Sequence, residues 1–398
     1  MRVIHVITRL IVGGAQENTV ASVLGLHDRS GVAVKLLSGP TTGPEGSLEN
    51  CFRDVPQIFA IVPPLIRAIA PWSDWCAYRM LKQIFRAELP DIVHTHSGKA
   101  GILGRLAARA AGVPIIVHTI HGPSFGNFQG ALPNFVYRAA ERFVGRFTDH
   151  FISVARAMSE QYLAAGIGRR EQHSRIFSGF PLEPFLATRN DPEFRRQLGI
   201  GEHDIVVGKI ARLFELKGHD DLVTIAPALV RSCPALKFLF VGDGLLREHL
   251  QTRVRQLGLE RHFIFVGLVP PAEIPRYIGI MDMLVHLSRR EGLPRALPQA
   301  LAAGLPVVTF DCDGANEICL ENETGFLVSP GNLSLLQEQL LRLARDPELR
   351  QRLGQRGREL VSERFPVRKM VDEIHALYVR LIDERLQRRR APELAPPP

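Results

Sequence analysis

Residues 286–304 read HLSRREGLPRALPQALAAG. The apolar run that leads into them, Met283 to Leu287, has the length and composition of a buried strand. A polar loop with Glu291 and Gly292 follows. A helix then carries Gln299 and stops at Ala303-Gly304, and Leu305 to Phe310 is the next strand. Glu291 therefore stands where a strand ends and a helix begins. In open α/β sheets that edge is where ligands bind, and a helix N-terminus suits a phosphate. Gln299 lies about two helical turns further on, near the same face. An acid in the loop and a polar group two turns deeper can hold the two ends of one long ligand. Read alone, Glu291 does no more than cap the helix start.

The same alternation runs through the chain. Val3 to Ile7 is a strand, Thr8 to Gly14 a loop and Ala15 to Leu26 a helix. No GKS or GKT follows, so this is not a Walker loop. Strands at Val32 to Leu37, Asp91 to Thr95, Ile115 to Ile120 and 148–153 alternate with helices at Lys99 to Ala111, 133–146 and 156–165. Residues 39–50 read as a mobile Gly/Pro-rich loop. Ile58 to Trp72 (IFAIVPPLIRAIAPW) is apolar and broken by prolines, either packed on its own core or facing lipid or an apolar acceptor. Ser178 to Phe185 (SGFPLEPF) reads as a linker.

A second alternation begins at Ile205 to Ile210. Helices 332–345, 347–363 and 367–389 follow it, and APELAPPP closes the sequence as a disordered tail. Two doubly wound parallel-sheet domains are expected, 1–180 and 181–366, with helix 367–390 crossing back to the first.

Composition narrows the class. The 398 residues exceed one ordinary core, and 45% hydrophobic with 23% charged content marks a globular chain. Residues 1–184 hold 19 Lys and Arg against 13 Asp and Glu, most of the net charge of +8. That surplus suits an anionic surface or a phosphate-bearing substrate, although solvated arginines account for most of it. Five scattered cysteines (51, 76, 233, 312 and 319) fit a reducing compartment and form no metal-ligand cluster. The apolar run at the start is too short for a signal peptide, and no stretch is long enough to span a bilayer. A cytoplasmic protein is expected.

Three constellations carry chemistry. Gly13 and Gly14 after the first strand let a backbone approach a ligand closely. His94-Thr95-His96 and His121 stand at two strand ends. They lack a carboxylate to complete a metal site, so His121 is read as a hydrogen-bonding imidazole beside a sugar hydroxyl or developing charge, or else as a satisfied core histidine. Arg212 and Lys217 lie in a loop after a strand, where two cations can embrace a diphosphate. The GDG at 242–244 is no dinucleotide fingerprint, because Arg247 stands at the place of its third glycine.

Taken in order, GGAQE, HTHSGKAGILGR, TIHG, ARLFELKGH, VGDG, FVGLVP, SRREGLPRALPQALAAGLPVV and TGFLV resemble the retaining glycosyltransferases of glycosyltransferase family 4, over about residues 1–365. The resemblance implies a GT-B fold, two Rossmann-like domains facing an interdomain cleft. It implies transfer of a sugar from a nucleotide-diphosphate donor to an acceptor hydroxyl in cell-envelope polysaccharide or glycolipid synthesis, with retention. Gly13 and Gly14 would lie beside the donor phosphates and His121 beside the donor sugar. Arg212 and Lys217 would bind the diphosphate, and Val266, Gly267 and Leu268 would pass the nucleobase. Glu291 would contact the donor sugar, with Gly292, Leu293 and Pro294 giving backbone contacts.

One departure stands out: the motif's second glutamate is Gln299 here, an uncharged acceptor for the ribose hydroxyls. Pro298 is the other oddity, accommodated if the helix starts near Ala296. No metal and no cofactor beyond the nucleotide sugar is expected. The expected partners are that donor, a glycan or lipid-linked glycan acceptor and an anionic membrane contacted peripherally at its cytoplasmic face, with no nucleic acid. A sugar-nucleotide epimerase of the same fold and a non-catalytic sugar-nucleotide binder are the alternatives.

Overall fold

The computed structural model describes residues 1–42, 46–122, 124–126 and 130–390. The APELAPPP segment and positions 43–45 of the expected mobile loop lie outside the described residues. The chain divides into two compact units: Met1–Phe180 together with the segment from Val367, and Pro181–Pro366.

Unit one runs β1 (Arg2–Ile7), α1 (Gly14–His27), β2 (Ala33–Ser38), β3 (Phe59–Ile61), α2 (Pro71–Glu88), β4 (Ile92–His96), α3 (Gly98–Ala111), β5 (Ile115–Ile120), α4 (Ala131–Gly145), β6 (His150–Ser153), α5 (Arg156–Ala164) and β7 (His173–Arg175). The seven strands form one sheet in the order β3-β2-β1-β4-β5-β6-β7, each parallel to its neighbours. Every residue of β4, β5 and β6 is buried, as a sheet covered on both faces requires.

Two elements differ from the sequence expectation. Helix α2 had no counterpart there: Pro71 opens it and Ala77, Leu81 and Phe85 are its buried stripe, but Trp72 and Trp75 on its exposed side blur the period. The apolar stretch 58–72 also divides. Ile58, Val62 and Leu65 are core, whereas Ile69 and Trp72 are 74% and 77% exposed.

Unit two begins with two short helices, α6 (Glu183–Leu186) and α7 (Pro192–Gln197), so the second half of the expected linker is helical and buries Phe185. It continues β8 (Ile205–Ile210), α8 (His219–Ser232), β9 (Leu236–Val241), α9 (Arg247–Gln256), β10 (Phe263–Gly267), α10 (Ile274–Gly279), β11 (Met283–His286), α11 (Ala296–Ala302), β12 (Val307–Phe310), β13 (Gly325–Val328), α12 (Leu333–Arg345) and α13 (Pro347–Arg364). Its sheet is parallel in the order β10-β9-β8-β11-β12-β13. In each unit the chain enters at a central strand, builds outward to one side, then crosses to the other. The reversal falls between β1 and β4 in unit one and between β8 and β11 in unit two. These are the switch points at which α/β sheets bind ligands.

The last helix, α14 (Val367–Arg390), packs on α1 of unit one. Met370, Val371, Ile374, Leu377, Tyr378 and Leu381 recur at helical spacing and sink into the core of β1, β2 and α1. Burial of each is worth roughly 1.5–3 kcal/mol. Close approach depends on Gly25, where a Cβ would stand 2.5 Å from Val371 Cγ2. Gly25→Ala should therefore cost about 1–3 kcal/mol of unfolding free energy in urea titration, despite its gain in helix propensity. Adding Val371→Ala should recover part of that loss, because it empties the space the new methyl needs.

Candidate functional site

In unit two the adjacency of β8 and β11 brings together residues far apart in sequence. Lys217 follows β8 and Glu291 follows β11; the Lys217 ammonium is hydrogen bonded to Glu291 Oε1. Gly218 makes this turn, at φ +64° and with a Cβ position only 2.2 Å from the Leu287 carbonyl, so no other residue fits. The loop is fixed from the other side as well: the Glu291 amide donates to Asp313 Oδ2 (2.7 Å) and Arg289 N to the Leu216 carbonyl (2.9 Å). Glu291 Oε2 has no hydrogen-bond partner among the described residues. Arg212, exposed, lies with its guanidinium 5.0 Å from the centre of the Phe214 ring and forms no ion pair among the described residues.

Glu291 is 21% exposed. Burial pushes its carboxyl up, but His286 and Lys217 outweigh burial and hold it at about 2. His286 Nε2 is 3.4 Å from Glu291 Oε1, and burial lowers that imidazole in turn, so Lys217 is the standing charge partner at neutral pH.

Beneath the pair lies a floor of buried polar groups that sequence reasoning missed. Lys209, on β8, is 1% exposed and its Nζ has no hydrogen-bond partner among the described residues. Burial, with Lys217 adding to it, pushes its ammonium down to about 7. Both ring nitrogens of buried His219 also lack partners there. Unpaired buried polar groups are costly, and such costs collect at functional sites. Lys209 alternates along a β-strand that reads as plain core, so only an interior lysine signalled it.

The other expected residues take these places. Gln299 is half-buried on α11, and its side chain makes no hydrogen bond among the described residues. Helix α11 starts at Ala296, so Pro298 falls in the first turn, where a missing N–H costs little. With seven residues it has a small dipole, and the cations rather than this helix offer the positive charge. Val266 and Gly267 end β10 with Leu268 exposed beyond them. Gly292 and Leu293 are half-buried and Pro294 is buried.

In unit one, Gly13 has an ordinary extended φ of 173°, and a Cβ on Gly14 would meet nothing within 4 Å. A Cβ on Gly13 would stand 3.0 Å from Gln16 Oε1, so it is Gly14 that offers open space, and neither position needs an unusual conformation on this ground. His121 lines a cavity of about 670 Å³ together with Arg9, Lys99, Tyr137 and Tyr162. Register sets His5 of β1 directly beside His94 of β4, and His96 shares its face two residues on. The rings are joined by hydrogen bonds: His94 Nε2 to Thr119 Oγ1 (2.6 Å), His94 Nδ1 to Tyr378 Oη (2.5 Å), Tyr378 Oη to His5 Nε2 (3.2 Å), His5 Nδ1 to His96 Nε2 (2.9 Å) and His96 Nδ1 to His121 Nε2 (3.0 Å). Burial lowers all four imidazoles, His5 and His121 to about 3, so each is neutral at pH 7. Sequence spacing grouped His94, His96 and His121; His5 and Tyr378 join only through strand register and the return of α14.

The family model described as "Glycosyl transferases group 1" matches residues 190–360, and that of the "Glycosyl transferase 4-like domain" matches residues 13–175. The chain belongs to the glycosyltransferases of family 4 type. This glycosyltransferase is 29% identical over 341 residues to the UDP-Gal:alpha-D-GlcNAc-diphosphoundecaprenol alpha-1,3-galactosyltransferase of Escherichia coli, covering 85% of this chain and 87% of that one. It is 29% identical over 293 residues to a GDP-mannose-dependent alpha-(1-6)-phosphatidylinositol monomannoside mannosyltransferase of Mycolicibacterium smegmatis, covering 71% and 74%. The structure of Alr3699/HepE from Anabaena in complex with UDP superposes with a TM-score of 0.79 at 23% identity, covering 95% of this chain and 99% of that one. The glycosyltransferase therefore has the GT-B fold.

The Lys217–Glu291 pair makes stability depend on pH in a defined sense. The folded carboxyl, at about 2, lies below that of a free glutamate, so its contribution is full above about 4.3 and is lost as pH falls through 2. Glu291→Gln should lower unfolding free energy at pH 7 by on the order of 3 kcal/mol at most, and the gap to the parent protein should close towards pH 2. Urea titrations of both proteins across that range test it.

Proposed function

We propose that this glycosyltransferase moves a hexosyl group, with retention of anomeric configuration, from a nucleotide-diphosphate sugar bound on unit two to a hydroxyl of a lipid-linked glycan bound on unit one. The observation that carries the reading is the ionised Glu291 carboxylate held by Lys217 at the β8/β11 switch point, with Arg212 in the same loop after β8 and in no ion pair among the described residues. An ammonium has three donors, and Glu291 takes one, so Lys217 retains hydrogens for a phosphate oxygen. Arg212 supplies a planar fork for the same diphosphate. Together they stabilise the departing charge and supply what a divalent ion would otherwise bring. Glu291 Oε2 accepts from hydroxyls of the donor sugar, and Gln299 accepts from the ribose with its amide oxygen.

The name of the Escherichia coli relative makes a UDP-sugar the first donor to test and a polyprenyl-diphosphate-linked sugar the first acceptor. Turnover with such a pair, surviving chelation and giving an axial product linkage by NMR, is the expected result. Arg212→Ala and Lys217→Ala should each slow turnover at saturating donor by ~10²-fold or more, the scale for losing one electrostatic stabiliser. Full turnover in both would sink the diphosphate assignment. Release of free sugar or an epimerised nucleotide sugar without acceptor would favour the alternative chemistries.

Membrane contact is proposed through unit one. Ile69 and Trp72 are exposed, as are Leu132, Phe135, Val136 and Phe143 of α4, and Ile69 and Val136 line the same cavity as His121. The charged side chains that α4 leaves at its surface are basic: Arg142 is exposed and Arg138 half-buried, while Glu141 is fully buried against Arg105 at 2.6 Å. An apolar face edged with cations suits the interface of an anionic bilayer. The sequence reading left 58–72 either packed on its own core or facing lipid or an apolar acceptor; Ile58, Val62 and Leu65 are core, and the proposal rests on Ile69, Trp72 and α4. Flotation with phosphatidylglycerol liposomes should be strong at low salt, fall as salt is added, and weaken about tenfold or more in Trp72→Ser/Phe135→Ser. Retention of the parent protein in the soluble fraction at low salt would argue for a soluble acceptor.

A further inference from the structure

The six hydrogen-bonding groups that join Thr119 to His121 form one unbranched chain: Thr119, His94, Tyr378, His5, His96, His121. Each imidazole is neutral and carries one N–H, so each bond needs one donor and one bare acceptor. Two arrangements run one way through the whole chain. In one, every imidazole is protonated on Nε2 and the bonds run inward from His121 to Thr119. In the other, every imidazole is protonated on Nδ1 and they run outward from Thr119 to His121. A third has Tyr378 Oη accept from both His94 Nδ1–H and His5 Nε2–H; it makes all five bonds but leaves the proton of the fully buried phenol without an acceptor among the described residues.

The two one-way arrangements differ at the Thr119 end. If the bonds run inward, Thr119 Oγ1 receives the last N–H, and its own hydroxyl proton is left over. Thr119 borders the same cavity as His121 but is only 3% exposed and has no second hydrogen-bond partner among the described residues, so that proton would have no protein acceptor. If they run outward, the Thr119 hydroxyl donates to His94 Nε2, His94 Nδ1–H to Tyr378, Tyr378 O–H to His5 Nε2, His5 Nδ1–H to His96 Nε2 and His96 Nδ1–H to His121 Nε2. Every donor is then used. The remaining proton sits on His121 Nδ1, which has no hydrogen-bond partner among the described residues, on a half-buried ring lining the unit-one cavity.

We propose that Thr119 and Tyr378, acting through His94, His5 and His96, fix His121 as its Nδ1–H tautomer, so that it meets the substrate as a hydrogen-bond donor and not as a base. Thr119, Tyr378, His94, His5 and His96 are positioning residues; His121 is the group that touches substrate. The last clause rests on the donor-sugar contact that the family resemblance implies for His121 and on the transferase reading under Proposed function, whereas the direction of the chain stands on the protein's own hydrogen bonds. The same nitrogens explain a cluster that otherwise resembles a metal site. His5, His94 and His96 bring ring nitrogens within 4.8 Å of one another, and the hydrogen bonds to Tyr378 and between rings already occupy them.

The test is the ¹⁵N spectrum of the full-length protein labelled at histidine, with His121 assigned by comparison with His121→Ala. His5, His94, His96 and His121 should all show protonated Nδ1 and bare Nε2 at pH 7. Thr119→Val, which removes the hydroxyl that sets direction, should turn His121 into a mixture of tautomers, and Thr119→Ser should restore the single form. Tyr378→Phe, which keeps the ring and cuts the chain, should do the same to His121 and lower kcat about fivefold or more, with donor KM changed by less than about twofold. A merely structural tyrosine would lower stability without altering the His121 nitrogens. Protonated Nε2 at His121 in the parent protein, an unchanged His121 in both Thr119→Val and Tyr378→Phe, or a stoichiometric metal on these rings by elemental analysis would each overturn the proposal. If His121→Ala keeps full turnover while the parent spectrum shows the Nδ1–H form, the chain stands and the substrate contact of His121 falls.

Discussion

Both sheets obey one constraint: a parallel strand is reached only by a crossover, and a sheet entered at its centre must reverse direction of growth once. At that reversal the loops leaving two neighbouring strands turn away from each other, and their first residues face a common space. In unit two those loops follow β8 and β11, and the space holds Lys217 and Glu291, 74 residues apart in sequence. In unit one they follow β1 and β4, and within those neighbouring strands the register lays His5 against His94. The ion pair follows from strand order, and the histidine chain from strand order, register and the return of α14.

The legible part of the sequence was whatever repeats with the period of an element. Continuous apolar runs such as Ile115–Ile120 announced buried strands, and their alternation with helices announced two parallel sheets. Within the site, the loop position of Glu291 and of the two cations could be read because it depends only on where one strand ends. Partnerships could not be read. Lys217 and Glu291 meet through strand order, His5 and His94 through register, and Tyr378 enters through a helix that returns from the far end of the chain. Asp313, which receives the Glu291 amide, sits at φ +50° in a turn where its sequence context, DCDG, offered no role. Helix α2 was lost for a different reason: its exposed tryptophans follow no water-facing pattern, because that side carries part of the apolar surface proposed to meet a membrane.

The two units pay their polar costs differently. Unit one buries His5, His94, His96 and the Tyr378 phenol and satisfies them in one sequence of donors and acceptors that ends at half-buried His121, which holds the groups rigidly. Unit two leaves Lys209 Nζ and both ring nitrogens of His219 without hydrogen-bond partners among the described residues. The diphosphate proposed for unit two is a source of negative charge for that floor. In unit one the sequence of hydrogen bonds stops at His121, whose Nδ1 has no partner among the described residues and whose ring lines the cavity.

Helix α14 gives unit one a history as well as a seal. The α14 side chains that complete the core around β1 and β2, and the phenol that joins His94 to His5, are translated after the whole of unit two. At ~5–20 residues per second, the roughly 190 residues between Phe180 and Val367 separate the two parts of this core by about 10–40 s on the ribosome. During that interval unit two can fold completely, whereas unit one shows an open apolar groove along α1 and a pair of imidazoles lacking their phenol. The order of maturation is thus the reverse of the order of synthesis, and a nascent chain stalled within unit two would present that groove to chaperones.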